Sequence, residues 1–207
     1  MFIYSRKNVI LNSFIIGGGN NYLANFLILV LLAHPQINNR LLSGCPILYL
    51  FISDELNAFA SCSKDNYVNI YTLPSCSLIH SLKIEEPELV FLSGRPLPII
   101  IIYSKKLKKL LTYGVHGHFI GNMNIENKPQ YSFIYTSKGF REYLIYSIRG
   151  MIIIRSLPYL EINKSINLNG EKNLPINNLY LKYQNNFNES ERLYVLDQSK
   201  QILYIIG

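Results

Sequence analysis

The carboxylate of Asp65 has the most specific setting for chemistry in this chain. Ser61, Ser63 and Asp65 alternate along one short stretch, and the aromatic Tyr71 follows six residues later. Hydroxyls spaced two apart beside a carboxylate suit one of two jobs. They could form a catalytic dyad with it, or they could form a hydrogen-bonded network that pins a turn to its strands. A carboxylate taken out of water has to be paired and hydrogen-bonded. The network is the favoured reading, because its own satisfaction accounts for these residues without invoking a reaction.

The other reactive side chains point nowhere more strongly. His116 and His118 lie two apart, so an extended segment would put both on one side, yet no third metal ligand stands nearby and a turn with exposed imidazoles is expected. Lys105, Lys106, Lys108 and Lys109 form the one local basic cluster, a candidate patch for an anionic ligand within a chain of formal net charge +7. Glu85, Glu86 and Glu88 read as solvated loop charges. The Gly17-Gly18-Gly19 run lacks the Lys-Ser/Thr of a phosphate loop and the spacing of a dinucleotide fingerprint, and reads as a turn. There is no Gly-x-Ser-x-Gly and no His-Glu-x-x-His. No catalytic residue, metal or cofactor is expected. The odd number of cysteines (Cys45, Cys62, Cys76), without Cys-x-x-Cys spacing, fits a reducing compartment. In that setting the sequons at Asn163 and Asn188 carry no sugar.

The elements that position these residues read as strands. Apolar residues make up 49% of the chain and charged ones 16%, which supports a buried core and argues against disorder. Ala58–Ser63 and Tyr67–Leu73 flank the polar turn Lys64-Asp65-Asn66, a hairpin, and Leu78–Ile84 follows a break at Pro74. A shift of 84 residues lays Thr72-Leu73-Pro74 on Ser156-Leu157-Pro158, and half that shift lays Tyr71-Thr72 on Tyr113-Gly114. A period near 42 in a strand-rich chain is the length of one four-stranded propeller blade. Further strands are expected at 47–53, 89–92, 98–104, 110–115, 119–125, 131–136, 143–147, 151–156, 162–168, 176–183, 192–196 and 202–206. Ile99-Ile100-Ile101-Ile102 has no polar alternation and suits a strand buried on both faces. The expected fold is therefore all-β, a partial propeller of four to five blades of four-stranded antiparallel sheet, in one domain spanning 1–207. Residues 1–34 make an incomplete blade, with strands over 9–16 and 22–33, and 35–207 hold the repeats. Tyr22–Ala33 is too short to span a membrane as a helix, and Arg6-Lys7 before an apolar run imitates a signal peptide without a clean cleavage site.

The Ser61-x-Ser63-x-Asp65…Tyr71 spacing, with Ala33-His34 about 30 residues upstream, resembles the core of a WD-repeat blade. The resemblance implies a structural hydrogen-bond network of His34, Ser61, Asp65 and Tyr71. The chain departs from the pattern in having no Trp, and Arg149 and Arg155 stand where the later repeat would put its Asp and aromatic. The ordered succession of His34 and the segments at 61–82, 97–104, 110–121, 142–162 and 193–207 resembles the C-terminal propeller of BEACH-domain proteins, the neurobeachin and beige group. That likeness covers about 34–207 and implies a non-catalytic protein-binding scaffold in membrane trafficking. It also implies a cytoplasmic protein, peripheral on endosomal, lysosomal or other vesicle membranes, fused to or paired with a BEACH domain that this sequence does not contain. The rival expectation is a basic propeller that binds RNA or phosphoinositides through Lys105, Lys106, Lys108 and Lys109, with nucleic acid the lesser partner.

Overall fold

The computed structural model describes residues 2–4, 16–18, 47–73, 75, 77–130, 132–137, 139–167, 179–184, 192–197 and 202–206. Among them every regular element is a β-strand. The chain divides into two compact units, Met1–Glu126 and Asn127–Gly207.

In the first unit, β1 (Phe2–Tyr4), β2 (Ile16–Gly18), β3 (Ile47–Ser53), β4 (Ala58–Ser63), β5 (Tyr67–Thr72) and β6 (Leu78–Lys83) form one sheet in chain order. The four strands β3 to β6 are an antiparallel meander, and β2 pairs with β3 in parallel. A second antiparallel meander follows: β7 (Pro87–Ser93), β8 (Ile99–Ser104), β9 (Lys109–Gly114) and β10 (Phe119–Asn124). Pro87 opens its strand, a position where its missing N–H is tolerated. Ile99, Ile100, Ile101 and Ile102 are all fully buried in β8, as an uninterrupted apolar run in a central strand requires. The two sheets meet through aromatic edges. Phe91 of β7 lies edge-on to Tyr49 at 5.8 Å and to Phe51 at 5.5 Å, both of β3. Such pairs add about 0.5–1.5 kcal/mol each beyond the area they bury.

The second unit repeats the plan. β11 (Ser132–Thr136), β12 (Glu142–Ile148), β13 (Met151–Ser156) and β14 (Glu161–Asn167) form a four-stranded antiparallel sheet, and β15 (Leu179–Gln184), β16 (Arg192–Asp197) and β17 (Ile202–Ile206) a three-stranded one.

The repeat is visible at the level of single residues. The third strands β5, β9 and β13 begin at 67, 109 and 151, so the 42-residue period falls on equivalent strands. Each pairs with the outer strand of its sheet through a bulge near its end. The register skips one outer residue between Ile70 and Tyr71, between Thr112 and Tyr113, and between Ile154 and Arg155. The skipped residues are Ile79, Ile120 and Asn163. A bulge adds a residue to one strand and sharpens the local twist, so its recurrence bends every outer edge alike.

One sequence expectation changes. Ile16–Gly18 is strand rather than turn, which corrects the reading of Gly17 and Gly18. Ladder pairing uses only backbone groups, so glycine can serve it at an entropic cost. The strands expected over 22–33, and all but Ile16 of that over 9–16, lie outside the described residues.

Candidate functional site

The Lys64-Asp65-Asn66 turn is built as its residue types require. Asn66 takes φ 70°, a left-handed conformation that asparagine tolerates, and its N–H donates to the Ser63 carbonyl at 3.2 Å. The half-buried Asp65 accepts from the Ser63 hydroxyl and from the Tyr67 N–H at 3.2 Å. The Ser63 hydroxyl also lies 3.2 Å from the Tyr67 carbonyl. Ser61 is buried in mid-strand opposite Asn69, and Tyr71 is buried in a stack on Phe59 with ring centroids 4.8 Å apart. His34 lies outside the described residues. Asp65 thus ties its own hairpin together through Ser63, a residue the sequence places two positions away.

The same end of the first unit carries the lysine cluster. Asn66 receives the Ile84 N–H on its carbonyl at 2.8 Å and the Glu86 N–H on its side chain at 2.9 Å. Glu86 in turn accepts the Lys105 N–H at 2.9 Å, and the Ser104 hydroxyl donates to the Glu85 carbonyl. The β4–β5 turn, the β6–β7 connection and the β8–β9 turn are therefore laced together. Lys105 pairs with Glu88 at 3.5 Å and Lys106 with Glu85 at 3.2 Å. Lys108 is exposed at φ 51° and Lys109 opens β9 half-buried. Two of the four cationic heads are thus met by the glutamates that the sequence reading set aside as loop charges.

At the other end of this unit, Gly117 has φ 88°, and a Cβ there would overlap the His80 ring. A Cβ at Gly114 would likewise overlap the ring of His118. His116 and His118 are exposed and His80 is half-buried. Among the described residues, no three His, Cys, Asp or Glu side chains gather where a metal ion could be held.

The third four-stranded sheet shows what the two arginines do. Arg155 is buried at the strand position of Tyr71 and Tyr113. Its Nε donates to the Tyr146 hydroxyl at 2.8 Å and its Nη1 to the Leu160 carbonyl at 2.7 Å. Burial pushes the Tyr146 phenol up, and the nearby guanidinium opposes that. Arg149 occupies the turn position of Asp65, at φ 46°, and its Nη2 donates to the Asn127 side chain at 3.2 Å. Glu142 is buried and accepts from the Thr136 hydroxyl at 3.1 Å.

Sequence reasoning missed the exposed end of this sheet. Phe140 is 67% exposed and Tyr159 70%, in the β11–β12 and β13–β14 turns, with the exposed Arg141 beside Phe140. The signal was aromatic residues inside turn sequences, Gly139-Phe140-Arg141 and Pro158-Tyr159.

Antiparallel sheets recurring at a fixed period, three of them with the same bulged outer edge, define a partial β-propeller. The chain is similar to solved propellers. Against Hsv2 of Kluyveromyces lactis the TM-score is 0.52 at 15% identity, covering 73% of this chain and 42% of that one. Against the WD40 domain of SCAP from fission yeast it is 0.56 at 14% identity, covering 78% and 42%. Against BBS1N, in its complex with ARL6DN, it is 0.57 at 13% identity, covering 78% and 50%. The chain thus spans half or less of the propellers it matches. No protein-family model and no curated protein sequence matches it. At such identities the likeness establishes the fold, a WD-type propeller, and nothing finer.

Proposed function

We propose that this chain is a non-catalytic protein-binding platform, the propeller of a BEACH-type scaffold that works in membrane trafficking. The observation that carries the reading is where the polar side chains go. Ser63, Asp65, Asn66 and Ser104 spend their hydrogen bonds on their own turns and on the adjoining connection. The same types of residue, left poised beside one another, would have suggested a reaction. The exposed turns remain to distinguish one partner from another. The solved complex of BBS1N with ARL6DN shows a related fold engaging a protein. The ordered motifs at 61–82 and 142–162 support the BEACH-type assignment, with a BEACH domain fused to or paired with this propeller. A cytoplasmic location, peripheral on endosomal or lysosomal vesicles, follows from that assignment.

Proximity labelling with the tagged chain tests this. Trafficking proteins and endosomal or lysosomal membrane components are expected, unchanged when Lys105, Lys106, Lys108 and Lys109 are all replaced by Gln. Recovery dominated by ribonucleoproteins, or binding to phosphoinositide vesicles, that is lost in the quadruple variant would overturn it. The lysine hairpin would then be the functional surface, with the steep salt dependence such contacts carry.

A further inference from the structure

We infer that the exposed end of the third four-stranded sheet, at Phe140, Arg141 and Tyr159, docks a short acidic and apolar peptide segment of a partner protein. Its carboxylate meets Arg141 and its apolar side chain covers the two rings. The inference rests on the platform reading above and names the chemistry of one partner.

The two turns are built to hold these side chains outward. In the first, the Ser137 N–H donates to the Arg141 carbonyl at 2.8 Å and the Phe140 N–H to the Ser137 carbonyl at 2.9 Å. The Arg141 N–H donates to the Ser137 hydroxyl at 3.2 Å. Phe140 is held at φ 57°, a region costly for a bulky side chain. That cost brings no burial of its own ring, which stays two-thirds exposed. In the second turn Leu157, Pro158 and Leu160 are buried, and Tyr159 alone among them is out. The Leu157 N–H donates to the Glu142 carbonyl at 3.2 Å, which sets the two turns side by side.

Charge selects the occupant. Arg95 pairs with Glu55, Arg149 reaches Asn127, and Arg155 is bonded inside the sheet. Among the described residues the Arg141 guanidinium meets no acceptor. A planar guanidinium with open donors, on adjoining turns that also carry two exposed rings, is matched by a carboxylate next to an apolar group. Aromatic residues and arginine are the types that dominate binding energy at protein interfaces. An anionic membrane fits less well, because Glu161 is exposed at the start of β14, two residues beyond Tyr159. Among the described residues of the two turns, one cation and one exposed carboxylate suit a single acidic side chain better than a charged surface.

The test is selection of a displayed random dodecapeptide library on the full chain, with counter-selection on a Phe140→Ser, Arg141→Gln, Tyr159→Ser triple variant. Enriched peptides should carry Asp or Glu within a few positions of Leu, Ile, Phe or Tyr. A synthesised winner should bind the wild type saturably and lose about tenfold or more with Arg141→Gln or Phe140→Ser alone. Arg141→Lys should also weaken it, since lysine lacks the fork. Each variant should melt with the wild type, and Tyr159→Ser replaces any that does not. The inference is overturned if nothing is enriched over counter-selection, or if winners are indifferent to Arg141. It is equally overturned if phosphatidylcholine–phosphatidylserine vesicles bind the chain with the same sensitivity to Phe140→Ser. Proximity labelling that recovers trafficking proteins while this selection fails would sink the site and leave the platform reading standing.

Discussion

Ser63 and Ser147 stand at the same place near the ends of β4 and β12, four residues before the next strand, and among the described residues only one of them has an acceptor. The Ser63 hydroxyl donates to Asp65. Among the described residues the buried Ser147 hydroxyl has no hydrogen-bond partner. The difference follows from one residue type. Two positions on, the first turn has the carboxylate of Asp65, whereas the third sheet has Arg149, a donor that reaches away to Asn127. A hydroxyl buried without a partner costs about 1–3 kcal/mol relative to one that is bonded.

Opposite outcomes are therefore expected from the same substitution. Ser63→Ala should destabilise the protein by about 1–3 kcal/mol, since it removes a bond to an ionised acceptor. Ser147→Ala should be neutral within about 0.5 kcal/mol or mildly stabilising, because it removes an unpaired polar atom. Urea unfolding of the two variants checks this. Equal losses at both sites would mean that Ser147 is satisfied after all.

The architecture was legible because the signals that encode it are local and repeated. The hairpin turn at Lys64-Asp65-Asn66 reappears between β4 and β5, and the Ile99–Ile102 run and the 42-residue offset of Tyr71, Tyr113 and Arg155 reappear as strands at those places. Pairings across the sheets were not legible. Lys105 with Glu88 and Lys106 with Glu85 depend on which turns share an end of the sheets, and composition does not hold that information. Arg155 looked like a lapse from the repeat. Its bonds to Tyr146 and Leu160 depend on strand pairing and on a turn carbonyl, neither of which a spacing shows. Nor does a sequence say whether Phe140 and Tyr159 point into a core, because turn aromatics do both.

Arg155 should prove expensive to remove. Arg155→Ala leaves the buried Tyr146 hydroxyl without its donor and opens a cavity, and a loss of about 2–4 kcal/mol is expected. Tyr146→Phe removes one of the bonds made by the guanidinium and should cost about 1.5–3 kcal/mol. The double variant should lose less than the sum of the two, as the surviving partner is no longer stranded. Strict additivity in chemical denaturation would show that the pair is not coupled.

Asp65 distinguishes a local turn from a wider network. Asp65→Ala should lose about 1–3 kcal/mol and Asp65→Asn much less, since an amide oxygen can still accept from Ser63 and Tyr67. Coupling to His34 is the proposal carried by the WD-type spacing. A double-mutant cycle with His34→Ala should return an interaction energy of about 0.5 kcal/mol or more. If the cycle closes to zero, the contribution of Asp65 ends at its own hairpin.

Buried phenols link the stability of the fold to alkaline pH. Tyr49 is 6% exposed, and burial, helped by the nearby Cys62, holds its phenol well above the ordinary value of 10.0. Tyr146 is fully buried and shifted the same way by burial, against the opposing guanidinium of Arg155. In both cases the folded state keeps a proton that the unfolded chain gives up near pH 10. The stability linked to these protons is therefore complete below pH 10 and falls as the pH rises from there through the folded values. Lysine deprotonation overlaps this range, so the comparison that isolates the phenol is with Tyr49→Phe. That variant should show a shallower decline of melting temperature between about pH 9.5 and 11 than the wild type, the difference corresponding to roughly one proton per molecule at most. Parallel declines in the two proteins would mean that the Tyr49 phenol ionises alike folded and unfolded, and that its burial between the first two sheets is looser than the contact with Phe91 at 5.8 Å requires.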